Sequence, residues 1–197
     1  SIPGPIWIWT APLAAYTRVH ARRPRTTQFV SALVVYLVGD LTAQHLAPTP
    51  SGRDDGSPAA YDPARTARAL VIGGLAAIPG YHWFVFLSRN FNYASKWGSI
   101  VLKVVINQIV FTPIFNTYFF GMQSALSGAS AADIVERIKH TVPRSWINSW
   151  KLWPAVTAFS FAFIRLELRG LFAGVIAIGW QTYLSILNQR AAKQERE

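Results

Sequence analysis

Polar residues in two places interrupt stretches that are otherwise apolar. Asp40 and Gln44 stand four residues apart in the run 28–46, where Asp40 is the one formally charged side chain. Lys103 and Asn107 are again four apart, with Gln108 beside them and Asn116 further along, in the run 98–123. A spacing of four puts each pair on one face of a helix. An ionisable group in hydrocarbon costs a few kcal/mol, so each is a candidate functional residue. Asp40 facing Lys103 would neutralise both, and the amides would then line a narrow wet path. The alternative is that these groups simply bond helix to helix and hold a bundle together. His82, near the end of the run 69–87, is either a packing residue or a gate that titrates near neutral pH.

Catalytic chemistry finds little to stand on. The chain has no His-Glu-x-x-His, phosphate loop, nucleophile elbow or dinucleotide fingerprint. Its four histidines, at 20, 45, 82 and 140, lack ligand-like spacing, and the absence of cysteine removes thiolate metal sites and disulfides. No catalytic residue, metal or cofactor is expected. The formal charge of +10 suits nucleic acid or an anionic membrane surface. Because the basic residues are scattered between apolar runs and form no single patch, the partner expected is a lipid bilayer, including anionic lipid, and not nucleic acid.

The elements that must position these residues follow from the same distribution. Hydrophobic residues make up 51% of the 197, with eight tryptophans, which is high for a water-soluble domain. Four runs, 28–46, 69–87, 98–123 and 168–188, have spanning length. No strand-period alternation occurs. The expected fold is an all-α membrane protein with four principal transmembrane helices plus short interfacial or amphipathic helices, as one bundle over 26–190. Residues 1–25 read as a basic, aromatic, acid-free segment with a short helix around 13–20, and 191–197 as a charged tail. Residues 47–64 concentrate Pro, Gly, Ser and Asp and read as an exposed acidic loop. In 130–145, Ile134, Val135, Ile138 and Val142 recur at helical spacing, as in an amphipathic helix on the membrane surface. Trp146, Trp150, Lys151 and Trp153 precede a short apolar helix at 153–164, and Trp180 and Tyr183 end the last run; all six are expected at headgroup level. Gly73 with Ala77, and Gly170 with Gly174, are small residues four apart that permit close helix approach. Pro79-Gly80 is expected to kink the second span, and Pro113 to interrupt the third.

Trp153-Pro154-Ala155-Val156, Arg169 and Trp180-x-x-Tyr183-Leu184-Ser185 resemble the C-terminal motif of the Mpv17/PMP22 family of small organellar membrane proteins. Gly39-Asp40-x-x-x-Gln44 resembles its first-span motif, and Pro79 with His82 and Trp83-Phe84 its second. In the third, Lys103, Asn107-Gln108 and Pro113 follow the family order, with Asn107 where the family has Asp. The resemblance implies a channel or permeation pathway for small solutes in the mitochondrial inner membrane or, alternatively, the peroxisomal membrane. A different class is a non-catalytic accessory subunit packed against a larger membrane complex. A homo-oligomer fits either.

Overall fold

A computed structural model describes residues 6–46 and 61–194, with side chains described for 11–46 and 61–180. The described part is helical: α1 (Ile6–Arg22), α2 (Pro24–Leu46), α3 (Pro63–Arg89), α4 (Lys96–Ile106), a π-helical turn (Asn107–Phe111), α5 (Thr112–Leu126), α6 (Ala131–Ser149), α7 (Trp153–Phe163) and α8 (Leu166–Gln194). Three helices are long and apolar enough to cross a membrane, namely Pro24–Leu46, Pro63–Arg89 and the continuous Lys96–Leu126. Most of the acidic loop, residues 47–60, lies outside the described part.

Local chemistry sets the helix starts. Asp62 caps α3 by accepting from the Arg65 amide at 3.0 Å, with Pro63 in the first turn, where its missing N–H costs nothing. Ser95 caps α4 through the Gly98 amide at 3.1 Å, and Ser130 with Asp133 closes a capping box on α6. Three expectations change. α1 is a longer helix than 13–20 and runs through Pro12, which this close to the helix start removes one bond, to the carbonyl of Ile8. α2 begins at Pro24 and not at 28, so only Arg23 separates it from α1, and the Thr27 hydroxyl turns back to the Arg23 carbonyl at 2.8 Å. α6 continues through Pro143 to Ser149, which places Trp146 within a helix and not in a leader to the next span.

α2 lies between α3 and α8. A methyl group on Gly73 of α3 would run into the Tyr36 ring, and one on Gly174 of α8 would lie 2.6 Å from Val35 Cγ1. Gly39 of α2 in turn faces Ile178. These contacts run α3 antiparallel and α8 parallel to α2. The Lys96–Leu126 helix runs antiparallel to α3, since Trp83 meets Asn107 and Tyr118 reaches the Ile72 carbonyl at 2.7 Å.

The interior is inverted relative to a water-soluble domain. Among the described residues thirteen polar or charged side chains are buried against four apolar ones, while Val34, Val38, Leu75, Val101, Ile114 and Phe163 face outward. Apolar side chains outward and polar ones inward is the arrangement a hydrocarbon solvent selects.

α1 is fastened to this bundle by aromatic contacts. Tyr16 donates to the Glu167 carbonyl at 3.4 Å and accepts from Ser31 at 3.2 Å. His20 stacks on Tyr16 and meets the edge of Tyr81, with its Nε2 buried and unbonded. Burial pushes the His20 pKa below its usual value, and the Glu167 charge offsets this in part. A His whose folded pKa is lowered contributes fully above its ordinary value near 6.5 and loses that contribution as pH falls from there through the lowered value. Acidification from neutral pH to below 6 is therefore expected to loosen α1, read as faster tryptic cleavage at Arg18 and Arg22. His20→Gln is expected to remove the pH dependence.

Candidate functional site

Asp40 is buried near the end of α2 and is met by the first turn of α3. Its carboxylate accepts from Thr66 Oγ1 at 2.6 Å, Gln44 Nε2 at 2.8 Å and Arg65 Nε at 3.0 Å. Gln44 also ties the loop end down, donating to the Asp62 carbonyl at 3.0 Å and accepting from the Asp62 amide at 2.8 Å. Asp40 thus has its counter-charge in Arg65, with Thr66 and Gln44 satisfying its remaining lone pairs.

Lys103 does not face Asp40. It lies beyond the other end of α3, where its Nζ donates to Asn92 Oδ1 at 2.6 Å. The antiparallel packing of α2, α3 and α4 sends the two residues to opposite ends of α3, separated by roughly 30 Å along its axis. At the Lys103 end, Arg169 of α8 donates from Nε to the Ile164 carbonyl at 3.1 Å and from Nη1 to Ser88 Oγ at 2.5 Å. Both cations sit over the ring of Phe161, Lys103 at 5.6 Å and Arg169 at 4.4 Å from its centroid.

Between these ends lies a belt of amides. Asn107 Oδ1 accepts from the Trp83 indole at 2.9 Å. Gln108, wholly buried, donates to Ser149 Oγ at 3.2 Å and accepts from Thr112 at 2.9 Å. The Trp146 indole donates to the Gln108 carbonyl at 2.7 Å. Trp146, grouped in the sequence with the interface aromatics, is therefore bound to the middle of the Lys96–Leu126 helix. Pro113 shapes this belt: its ring would crowd the Ile109 carbonyl of a regular helix, and the backbone widens into the π turn, closed by the Thr112 amide on Asn107 O. Asn116 is half-buried, and its Nδ2 has no partner.

His82 is exposed on the outer side of α3 beside Tyr81, which removes it from the interior set. Trp150 and Lys151 are exposed at the α6–α7 junction, Lys151 donating to Asn148 Oδ1 at 3.0 Å, while Trp153 and Trp180 are half-buried. The Tyr183 side chain lies outside the described part. Of the small residues, Gly73 is buried against α2, Ala77 is half-buried, and Gly170 abuts Gln28 as Gly174 abuts Val35.

Sequence reasoning missed the partners: Arg65 and Thr66 for Asp40, and Arg169, Phe161 and Asn92 around Lys103. Asp62-Pro63 marks where α3 begins, and so marks Arg65 and Thr66 as its first turn. Nothing in the spacing joins Lys103 to Arg169, 66 residues away.

A profile of the Mpv17 / PMP22 family matches residues 124–185. Protein SYM1 of Saccharomyces cerevisiae is 31% identical over 180 residues, covering 89% of this chain and 89% of that protein. Protein SYM1 of Gibberella zeae is 33% identical, covering 86% of this chain and 93% of the relative. PXMP2/4 family protein 4 of Dictyostelium discoideum is 31% identical over 84% of this chain and 86% of its own length. No solved structure matches significantly.

Proposed function

The chain belongs to the Mpv17/PMP22 family, and from that premise we propose that it is a non-catalytic membrane protein of an organelle, forming a permeation pathway for small solutes. The mitochondrial inner membrane is the proposed site, with the peroxisomal membrane as the alternative, as the family resemblance implies. α8 serves as the fourth span in this reading: it is 29 residues long and lies along α2 through Gly174 and Ile178. At 1.5 Å per residue such a helix exceeds the roughly 30 Å of a hydrocarbon core. The bilayer, anionic lipid included, is the partner, and a homo-oligomer fits the outward apolar faces.

The observation that carries the reading is the buried series Asp40, Lys103, Asn107 and Gln108 within one chain's bundle. Its members are bonded to side chains or backbone of the same bundle, so the arrangement corresponds to a shut pathway. Opening would exchange these bonds for water. The π turn, which carries both Asn107 and Gln108, is the place where a helix is most readily reshaped.

An accessory role is favoured by a different observation: Trp97, Phe159 and Phe163 are more than 45% exposed, an aromatic surface suited to a neighbouring membrane subunit. Reconstitution separates the two. The purified protein in planar bilayers is expected to give discrete conductance steps, with Asn107→Ala, which frees the Trp83 indole, raising the open fraction. Silent bilayers together with a stoichiometric copurifying membrane subunit would favour the accessory reading instead.

A further inference from the structure

The end of the bundle away from Asp40 carries an open cavity of about 350 Å³, lined by Ser88, Asn92, Lys96, Lys103, Phe161 and Arg169 among others. Three of its lining side chains are cations and none is a carboxylate. Lys103 is 7% exposed and, among the described residues, neither it nor Arg169 forms an ion pair. The acid nearest in sequence, Glu167, is held by Arg165 at 2.6 Å. Two cations over one phenylalanine ring, in a cavity lined by no acid, repel one another and lose hydration, and the Glu167 charge that reaches Arg169 offsets this only in part. Such an arrangement is stable when an anion completes it.

We propose that this cavity binds a phosphate group, carried either by a soluble phosphorylated solute or by the headgroup of an anionic phospholipid. The donors left over fit that chemistry. Lys103 has spent one N–H on Asn92, and Arg169 has spent Nε and one Nη1 N–H. Three guanidinium N–H groups and two ammonium N–H groups remain, with Lys96 at the exposed rim. A planar fork beside a point charge is the usual way to hold tetrahedral oxyanions. The volume exceeds that of one phosphate and leaves room for the group that bears it. The site is defined by these side chains alone and holds whether or not the bundle conducts.

The test uses the full chain in phosphatidylcholine nanodiscs, with inorganic phosphate as probe against chloride at matched ionic strength. A second arm replaces part of the lipid with phosphatidylglycerol. A saturable rise in Tm of roughly 5 °C or more is expected in at least one arm. A response to inorganic phosphate identifies a soluble ligand, and a response to phosphatidylglycerol alone identifies a headgroup. Lys103→Met is expected to abolish the response while melting no lower than the unliganded parent, because it removes an uncompensated buried charge. Lys151→Gln, at a residue that does not line the cavity, is expected to respond as the parent does. If Lys103→Met does not fold, Arg169→Lys, which keeps the charge and loses the fork, is expected to weaken the response several-fold. No shift of the parent in either arm, or an equal shift in the folded cavity variant, overturns the proposal.

Discussion

Replacing Asp40 with Asn is expected to lower the Tm of the protein by about 5 to 10 °C. The carboxylate accepts three side-chain hydrogen bonds, from Thr66, Gln44 and Arg65, and is itself only 6% exposed. An amide in its place offers one acceptor oxygen and turns an NH₂ toward at least one of the three donors. Removing one partner of a buried pair costs about 3–5 kcal/mol. Arg65 is 34% exposed and recovers part of its hydration, which brings the expected loss to about 2–3 kcal/mol. Arg65→Met is expected to cost at least as much, because it leaves the buried Asp40 carboxylate without its counter-charge although Thr66 and Gln44 still hold it. The same variant bears on permeation. If Asp40 borders the path, its ion preference changes as well. If the residue only clamps α2 to α3, melting alone moves. An unchanged Tm would show that the network contributes nothing to folding.

The second large effect is expected from the glycines that let α3 and α8 close on α2. Gly73→Ala drives a methyl group into the Tyr36 ring, and Gly174→Ala brings one to 2.6 Å from Cγ1 and 3.2 Å from Cγ2 of Val35. Overpacking of this kind costs about 1–3 kcal/mol, and a β-branched valine has few rotamers in which to retreat. Gly80 and Gly179 have nothing within 4 Å. Alanine at those two positions removes backbone freedom from the unfolded chain and is expected to leave Tm unchanged or slightly raised. Melting of the four variants in one detergent checks the contrast. A uniform response across the four would remove close packing as the reason for Gly73 and Gly174.

The elements were far more legible than their pairings. Hydropathy, Asp62-Pro63, Ser95, Ser130-x-x-Asp133 and the charged knot at Arg165–Glu167 mark helix ends, because capping and desolvation act within a few residues of sequence. The partner of a buried charge depends instead on how far along its neighbours a helix sits. Asp40 and Lys103 looked complementary because each stood alone in an apolar run, yet antiparallel packing carries them to opposite ends of α3. Pro12 misled, where the helix absorbs one lost bond and continues, and Pro113 informed, where the backbone widens. Trp146 was legible as an aromatic but not as a donor to Gln108, since its place in the bundle depends on α6 passing through Pro143.

The π turn has a consequence for how the chain tolerates change in length. It inserts a phase shift of about 100° into an otherwise continuous rod, a shift of one helical residue. Upstream of it the rod packs on α7. Within it two adjacent amides turn to different neighbours, Asn107 to Trp83 of α3 and Gln108 to Ser149 and Trp146 of α6. Downstream, Tyr118 again finds α3 at the Ile72 carbonyl. A single-residue deletion between 107 and 111 would restore regular winding and leave α5 in phase with both neighbours, whereas regular winding at the present length would rotate all of α5 by about 100°. The segment therefore tolerates the loss of one residue, which the widened turn had absorbed, better than it tolerates the loss of the turn itself.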